Sequence, residues 1–138
     1  LWYLNSKSAT PERLSAGVYG LSNAALDTPW PKLVRARAVL QASIEAPEVD
    51  TLLQVLSDPQ PAADGEMPST GVPYEWEKKL SSVFISSADY GTRASTVLIR
   101  RADGSAHITE RRFGPAGVLD QRRIDVHSSS QEGRSDPI

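Results

Sequence analysis

The dipeptide Asp103-Gly104, set between strand-like runs at 94–101 and 106–113, limits this chain more than any other feature. Asp-Gly is a preferred centre for a two-residue type I′ turn, where both central residues need positive φ and glycine adopts it without steric cost. Pairing around such a turn places Ile99 opposite Ile108 and Ala94 opposite Phe113. Successive strand side chains point to opposite faces, so these two pairs lie on different sides of the sheet. Apolar groups on both sides predict a sheet covered on each face, as in a layered sandwich. With helices grouped between strands and a hairpin rather than a crossover at the end, the pattern indicates an α+β fold.

Upstream, residues 1–4 are apolar and aromatic, and Asn5-Ser6-Lys7-Ser8 supplies turn chemistry, so a short strand running into a loop is expected. Residues 17–22 read as a second short strand closed by Asn23. Pro29 and Pro31 exclude a helix interior but suit a first turn, with Asp27 or Thr28 as cap. The spacing of Leu33, Ala36, Leu40 and Ile44 then predicts a helix over 30–45 with that stripe buried. A second helix begins near Pro47-Glu48, its buried face formed by Val49, Leu52, Leu53 and Leu56, and it stops at Asp58-Pro59. Residues 58–73 are proline-rich and acidic, without Lys or Arg, which predicts a mobile surface loop. A third helix is expected over 74–82, with Trp76, Leu80 and Val83 inward. Residues 118–138 read as a flexible polar tail.

The bulk numbers exclude several classes. The 138 residues suit one domain or a large part of one, and the formal net charge of -2 supplies no basic field for nucleic acid. There is no cysteine, hence no disulfide, thiolate nucleophile or cysteine-ligated metal within the chain. No apolar run approaches the ~20 residues of a transmembrane helix. Leu1-Trp2-Tyr3-Leu4 lacks an initiator methionine and a signal-peptide pattern, and reads as a fragment opening in mid-strand. A cytoplasmic setting is the matching expectation. His107 and His127 have no metal-ligand spacing with each other or with acids, so no metal and no cofactor are assigned.

Two long motifs identify the chain: YGLSNAALDTPWPKLVR from Tyr19 and YGTRASTVL from Tyr90. With Glu75-Trp76-Glu77, Ser82-Val83-Phe84-Ile85 and Glu110-Arg111-Arg112-Phe113 in order, residues 1 to about 114 resemble the C-terminal half of the NRDE family, the transport and Golgi organisation 2 homologues. The domain is accordingly drawn over 1–117. The resemblance implies part of a four-layer αββα sandwich related to N-terminal-nucleophile hydrolases, with antiparallel strands and three helices. In such enzymes an N-terminal Cys, Ser or Thr attacks an amide or thioester, its own amine serving as base. Family members carry that cysteine after the initiator methionine, followed by an Asn-Arg-Asp-Glu motif. This chain has neither, so its expected partner is the missing N-terminal half. The alternative reading is a non-catalytic carrier of haem or of a hydrophobic anionic ligand such as acyl-CoA.

The same resemblance assigns Asn23 as a donor to a developing oxyanion, a role worth ~3–4 kcal/mol of barrier; a turn-closing side chain is the structural alternative. Arg93 is the second catalytic candidate: its planar guanidinium fork suits a carboxylate or phosphate, or lowers the pKa of a neighbouring nucleophile, and an internal salt bridge is the structural alternative. Ser95 and Thr96 add hydroxyl donors beside it. Trp30 is a candidate pocket wall, and Lys32 a candidate contact for an anionic, amphipathic ligand. The pairs Arg100-Arg101, Arg111-Arg112 and Arg122-Arg123 offer phosphate contacts or a solvated strand edge. His107 is a conceivable axial haem ligand, although a lone strand histidine is more commonly structural.

Overall fold

The computed structural model describes residues 1–126. They form two compact units, one spanning Leu1–Thr92 and the other beginning at Arg93. The architecture is α+β, with three α-helices and two antiparallel sheets.

The first unit opens with a hairpin of β1 (Trp2–Asn5) and β2 (Ser8–Arg13), paired Trp2 to Arg13 and Asn5 to Ser8. Asn5 makes the turn by accepting the Lys7 and Ser8 amides at 2.8 and 2.9 Å, so its side chain replaces a backbone acceptor. The turn chemistry was legible but β2 was not. Its polar sequence SATPER contains Pro11, which a strand tolerates where the missing N–H faces no ladder partner. The strand expected at 17–22 is absent, and that segment is irregular.

Helix α1 (Pro31–Ala42) starts with Pro31 in its first turn, where the lost amide costs nothing. Neither Asp27 nor Thr28 caps it. Trp30 takes the cap position, and Thr28 Oγ1 donates instead to the Ala25 carbonyl at 2.8 Å. The expected stripe is covered only at Leu33; Leu40 and Ile44 are exposed, as are Val34 and Val39. Helix α2 (Val49–Val55) buries Leu53 completely. Arg35 secures the chain after α2, its Nε donating to Asp58 Oδ2 at 3.0 Å and Nη2 to the Gln60 carbonyl at 2.6 Å.

The proline-rich segment 58–73 is irregular apart from a 3-10 turn at Asp64–Glu66, and short helix α3 (Tyr74–Leu80) anchors it. Ala62, almost fully buried, donates its amide to Ser81 Oγ at 2.9 Å and accepts Lys78 Nζ at 2.9 Å. Lys78 also pairs with Asp64, and Glu77 accepts both the Thr70 amide and its hydroxyl, the latter at 2.7 Å. Trp76 is not inward. It is 42% exposed, edge-on to Tyr90 at 5.7 Å and beneath the Lys79 ammonium.

The second unit is one sheet in the order β3 (Ala94–Arg100), β4 (Ala106–Gly114), β5 (Gly117–Val126). Its first hairpin differs by one residue from the type I′ expectation: Leu98 opposes Ile108, Ile99 opposes His107, and Ala94 opposes Arg112. The reason is the turn. Gly104 donates to the Arg101 carbonyl at 3.1 Å and Arg101 donates to Ser105 O at 2.8 Å, enclosing residues 102–104. Gly104, at φ 85°, therefore takes the left-handed position that follows a type I turn in a three-residue loop. Asp103 fixes the loop by accepting the Ser105 amide and hydroxyl at 2.9 and 2.6 Å. One face of the sheet is buried through Ser95, Val97, Ile99, His107, Thr109 and Phe113, while Leu98 and Ile124 on the other are mostly exposed. The tail expected from residue 118 is instead β5 up to Val126. Its side chains are exposed on both faces, so the polar run Asp120-Gln121-Arg122-Arg123 is accommodated, and the Arg112–Asp120 ion pair joins it to β4. Residues 127–138, the remainder of the expected tail, lie outside the described residues.

The Glu77–Thr70 bonds give the proline-rich loop a pH dependence. The Thr70 hydroxyl and amide, aided by the Val72 and Gly71 amides, hold the Glu77 carboxyl below the usual glutamate range. A carboxyl lowered on folding stabilises the fold above its unfolded pKa of about 4.3, and that contribution is lost as pH falls through the folded value. Amide exchange at Thr70 should be slow at pH 6 and should accelerate, relative to the intrinsic rate, only below about pH 4.3. Glu77→Gln should abolish that pH response.

Candidate functional site

The loop between residues 20 and 27 is an irregular segment held by several tertiary bonds. Asp27 stands at φ 58°, a left-handed conformation costly for most residues and tolerated by Asp through local hydrogen bonds. Here those bonds form a clasp. Asp27 donates its amide to the Gly20 carbonyl at 2.8 Å, and its Oδ1 accepts the Gly20 amide at 2.7 Å. Arg37 Nη1 lies 3.1 Å from the same oxygen, and Arg37 Nη2 donates to the Val18 carbonyl at 3.0 Å. Gly20 is required by packing: a Cβ there would stand 2.5 Å from Leu33 Cγ and Cδ2. Leu33 and Arg37, one turn apart on α1, thus set the loop's base from one helix face. The Leu26 amide donates to the Tyr3 hydroxyl at 3.2 Å, tying the loop to β1.

Asn23 lies inside the clasp, in neither a strand nor a helix, and is exposed. No described hydrogen bond engages its carboxamide, whereas its turn-closing alternative requires one. The loop is closed by Asp27 instead, leaving two amide donors of Asn23 available to an acceptor. Trp30 and Lys32 follow immediately. Trp30 is half-buried, and Lys32 Nζ donates to the Leu80 carbonyl at 2.8 Å while standing 5.7 Å from the Trp30 ring centre. Partial burial pulls the Lys32 ammonium below the usual lysine range. Both are brought together, with Lys32 joining α1 to the end of α3. A groove of about 380 Å³ elsewhere in this unit is lined by Ala36, Val39, Val55 and Val83, with the Arg35–Asp58 pair beside them.

In the second unit, the Arg93 carbonyl accepts the Phe113 amide at 2.9 Å, which extends the ladder one position before β3. Alternation then sets Arg93, Ser95, Val97 and Ile99 on one face, and Ala94, Thr96, Leu98 and Arg100 on the other. Ser95 and Thr96 are therefore separated by the sheet. Ser95 is buried, while Thr96 is exposed and donates to Glu110 Oε2 at 3.2 Å. Arg111, opposite Ser95, shares its face and donates to Gln121 Oε1 at 2.9 Å. Read as a basic pair, Arg111 and Arg112 looked equivalent, but they point to opposite faces. Arg112 makes a two-pronged contact with Asp120, which lowers the Asp120 carboxyl and raises the guanidinium. Arg111 thus joins Arg93 and Ser95 as a residue only the strand register could reveal. Together they offer two guanidinium groups and a hydroxyl at one end of one sheet face.

His107 is buried. Its Nδ1 lies 3.4 Å from Arg101 Nη1 and its Nε2 has no hydrogen-bond partner. Among the described residues no group of three or more His, Asp or Glu side chains has metal-holding geometry. His127 lies outside the described residues. Nor is any described helix long and apolar enough to cross a membrane. Asn23 belongs to the first unit and Arg93 to the second.

Three relatives and one family profile match the chain. The chain is 36% identical over 122 residues to the Transport and Golgi organization protein 2 homolog of Bos taurus. It is 31% identical over 120 residues to the Mus musculus homolog and 30% over 120 residues to the Homo sapiens homolog. Each alignment covers 80% of this chain but 44% of the relative, so the chain spans under half the length of the curated relatives it matches. The family profile described as Transport and Golgi organisation 2 matches residues 1–115, which takes in the clasped loop, α1 to α3 and the first hairpin of the sheet. The chain belongs to the Transport and Golgi organisation 2 family.

Proposed function

We propose that this chain is the C-terminal half of a cytoplasmic αββα domain of the N-terminal-nucleophile type. In this reading the companion half supplies the nucleophile and its amine base for hydrolysis of an amide or thioester, and this half supplies the electrostatics. Asn23 donates to the oxyanion of the tetrahedral intermediate. Independently, Arg93, with Arg111 on its sheet face, is a contact for an acidic group. The observation that carries the reading is the clasp, which spends three bonds and a left-handed aspartate on a loop whose exposed Asn23 carboxamide makes no hydrogen bond among the described residues. A preorganised donor of this kind lowers a barrier because it needs no reorganisation when charge develops.

A second reading, a non-catalytic carrier of haem or acyl-CoA, has one observation in its favour. The groove lined by Ala36, Val39, Val55 and Val83 is mostly apolar and falls within the ~300–1,000 Å³ range of small-molecule sites. In the carrier reading Trp30 supplies an apolar wall and Lys32 a contact for an acidic group, one of its three ammonium donors being held by the Leu80 carbonyl.

The experiment is to join this chain to the remaining polypeptide of a family-length protein and measure hydrolysis of acyl-amide and acyl-thioester panels. Asn23→Ala should lower kcat by ~10²–10³ with little change in KM. Full activity in that variant would overturn the enzymatic reading, and a saturable haem or acyl-CoA titration without turnover would favour the carrier. Asp27→Ala acts on Asn23 only through the loop. It should cost about 1–3 kcal/mol in urea unfolding, because it removes a charged acceptor of the Gly20 amide. It should also lower kcat, whereas Asp27→Asn, which keeps an acceptor and tolerates positive φ, should recover most of both.

A further inference from the structure

The two edges of the β3–β4–β5 sheet are built differently. The bonds between Arg101 and Ser105 and between Phe113 and Arg93 fix which residues of the hairpin face each other through the backbone. In an antiparallel pair these positions alternate, so Ser95, Val97 and Ile99 exchange bonds with β4. The amides and carbonyls of Ala94, Thr96, Leu98 and Arg100 consequently point away from β4, to the outer edge. No described hydrogen bond engages any of those four amides, and β3 ends the strand order. This edge is seven residues long, free of proline and bulges, and carries one charged residue, Arg100.

The opposite edge is defended. β5 is interrupted by a register shift where Arg112 and Phe113 face it, and it carries Asp120, Arg122, Arg123 and Asp125. Bulges and charged side chains are the usual devices that keep an edge from pairing with another chain, and a regular, uncharged edge is a template for it. Flanking β3, Leu98 is 63% exposed and faces Ile108, which in turn faces Ile124, itself 59% exposed. An apolar row therefore runs up to the undefended edge and stops.

We propose that the outer edge of β3 is a docking edge that accepts one extended strand from the part of a family-length protein lying outside this chain. This rests on the two-half reading above. More than half of each relative's length lies beyond the match, ample for such a strand. The incoming strand pairs through the amides and carbonyls of Thr96 and Leu98. It continues the Leu98–Ile108–Ile124 row on one face and the Val97 and Ile99 surface on the other, so apolar residues on both of its faces are required.

Amide hydrogen exchange tests this with site resolution, comparing the chain alone with the chain bound to the remaining family-length polypeptide. In the chain alone, Val97 and Ile99 amides should be protected and Thr96 and Leu98 amides should exchange rapidly. On association, Thr96 and Leu98 protection should rise by at least ~100-fold while β5 amides change little. Thr96→Pro, which removes an outward amide and the exposed hydroxyl bond to Glu110, should weaken association, whereas Thr96→Val, which removes only the hydroxyl, should not; both should leave the Val97 and Ile99 protection of the free chain in place. Association without new protection at Thr96 and Leu98 would overturn the docking edge while sparing the two-half reading. Failure of the two polypeptides to associate would overturn both. Protection that grows with the concentration of this chain alone would assign the edge to a second copy and also overturn the proposal.

Discussion

Apolar surface left in water is the constraint on which this structure turns. Among the described residues, six hydrophobic side chains are buried, while seventeen large ones are exposed. A chain of this length ordinarily buries about two thirds of its unfolded surface, and single exposed apolar residues are normal, but ordered rows of them are not. Trp2 and Leu4 alternate along one face of β1, Val34, Val39 and Leu40 lie along α1, and Leu98 and Ile124 are joined through Ile108. The Leu98–Ile124 row sits opposite the packed face of Ser95, Val97 and Ile99, whereas on α1 the exposed residues are spread around the helix, with Leu40 on the same stripe as buried Leu33. At ~25 cal/mol per Å², covering such rows would contribute substantially to stability. In the proposed two-half reading, the length of the relatives outside the match is the source of that cover.

Against this sparse apolar packing, polar contacts position the irregular segments. Arg37 and Asp27 close the loop that carries Asn23, Arg35 and Asp58 hold the chain after α2, and Glu77, Lys78 and Ser81 of the α3 region pin the proline-rich segment. Arg35 and Arg37 lie within one turn of α1, and Glu77 and Lys78 are neighbours on α3 with Ser81 at its C-cap, so a short rigid element places several loop contacts at once. The ion pairs are partly exposed and individually modest in energy. Their effect is on geometry, since the same side chains also bond backbone groups: Arg37 the Val18 carbonyl, Arg35 the Gln60 carbonyl, Lys78 the Ala62 carbonyl, and Glu77 the Thr70 amide.

Sequence patterning located the three helices to within a few residues, because their apolar spacing and proline punctuation are local signals. It also found the Asn5 turn and the hairpin at Asp103-Gly104. It missed β2, whose SATPER sequence has no alternation, and it gave residues 17–22 a strand where Gly20 is instead pinned to Asp27 and Leu33. The hairpin register slipped by one because Gly104 serves a three-residue loop, a choice that the dipeptide alone does not encode. That slip mattered for the site: only the observed register separates Arg111 from Arg112 and sets Ser95 and Thr96 on opposite faces. Of the residues drawn from the family motifs, Asn23 stands in an exposed loop rather than at a strand end, and Ser95 and Thr96 lie on opposite faces of the sheet. The bonds made by Lys32, Thr96 and Asp27 are tertiary, and no spacing within the sequence announces them.

The central claim is that these rows of apolar side chains form the inner surface of a larger domain. Calorimetric titration of the chain with the remaining family-length polypeptide, repeated across a range of temperatures, reads this directly. The account predicts a large negative heat-capacity change on association, the mark of apolar surface leaving water. Binding with a heat-capacity change near zero, or a chain that stays monomeric and shows no heat of association, would contradict it.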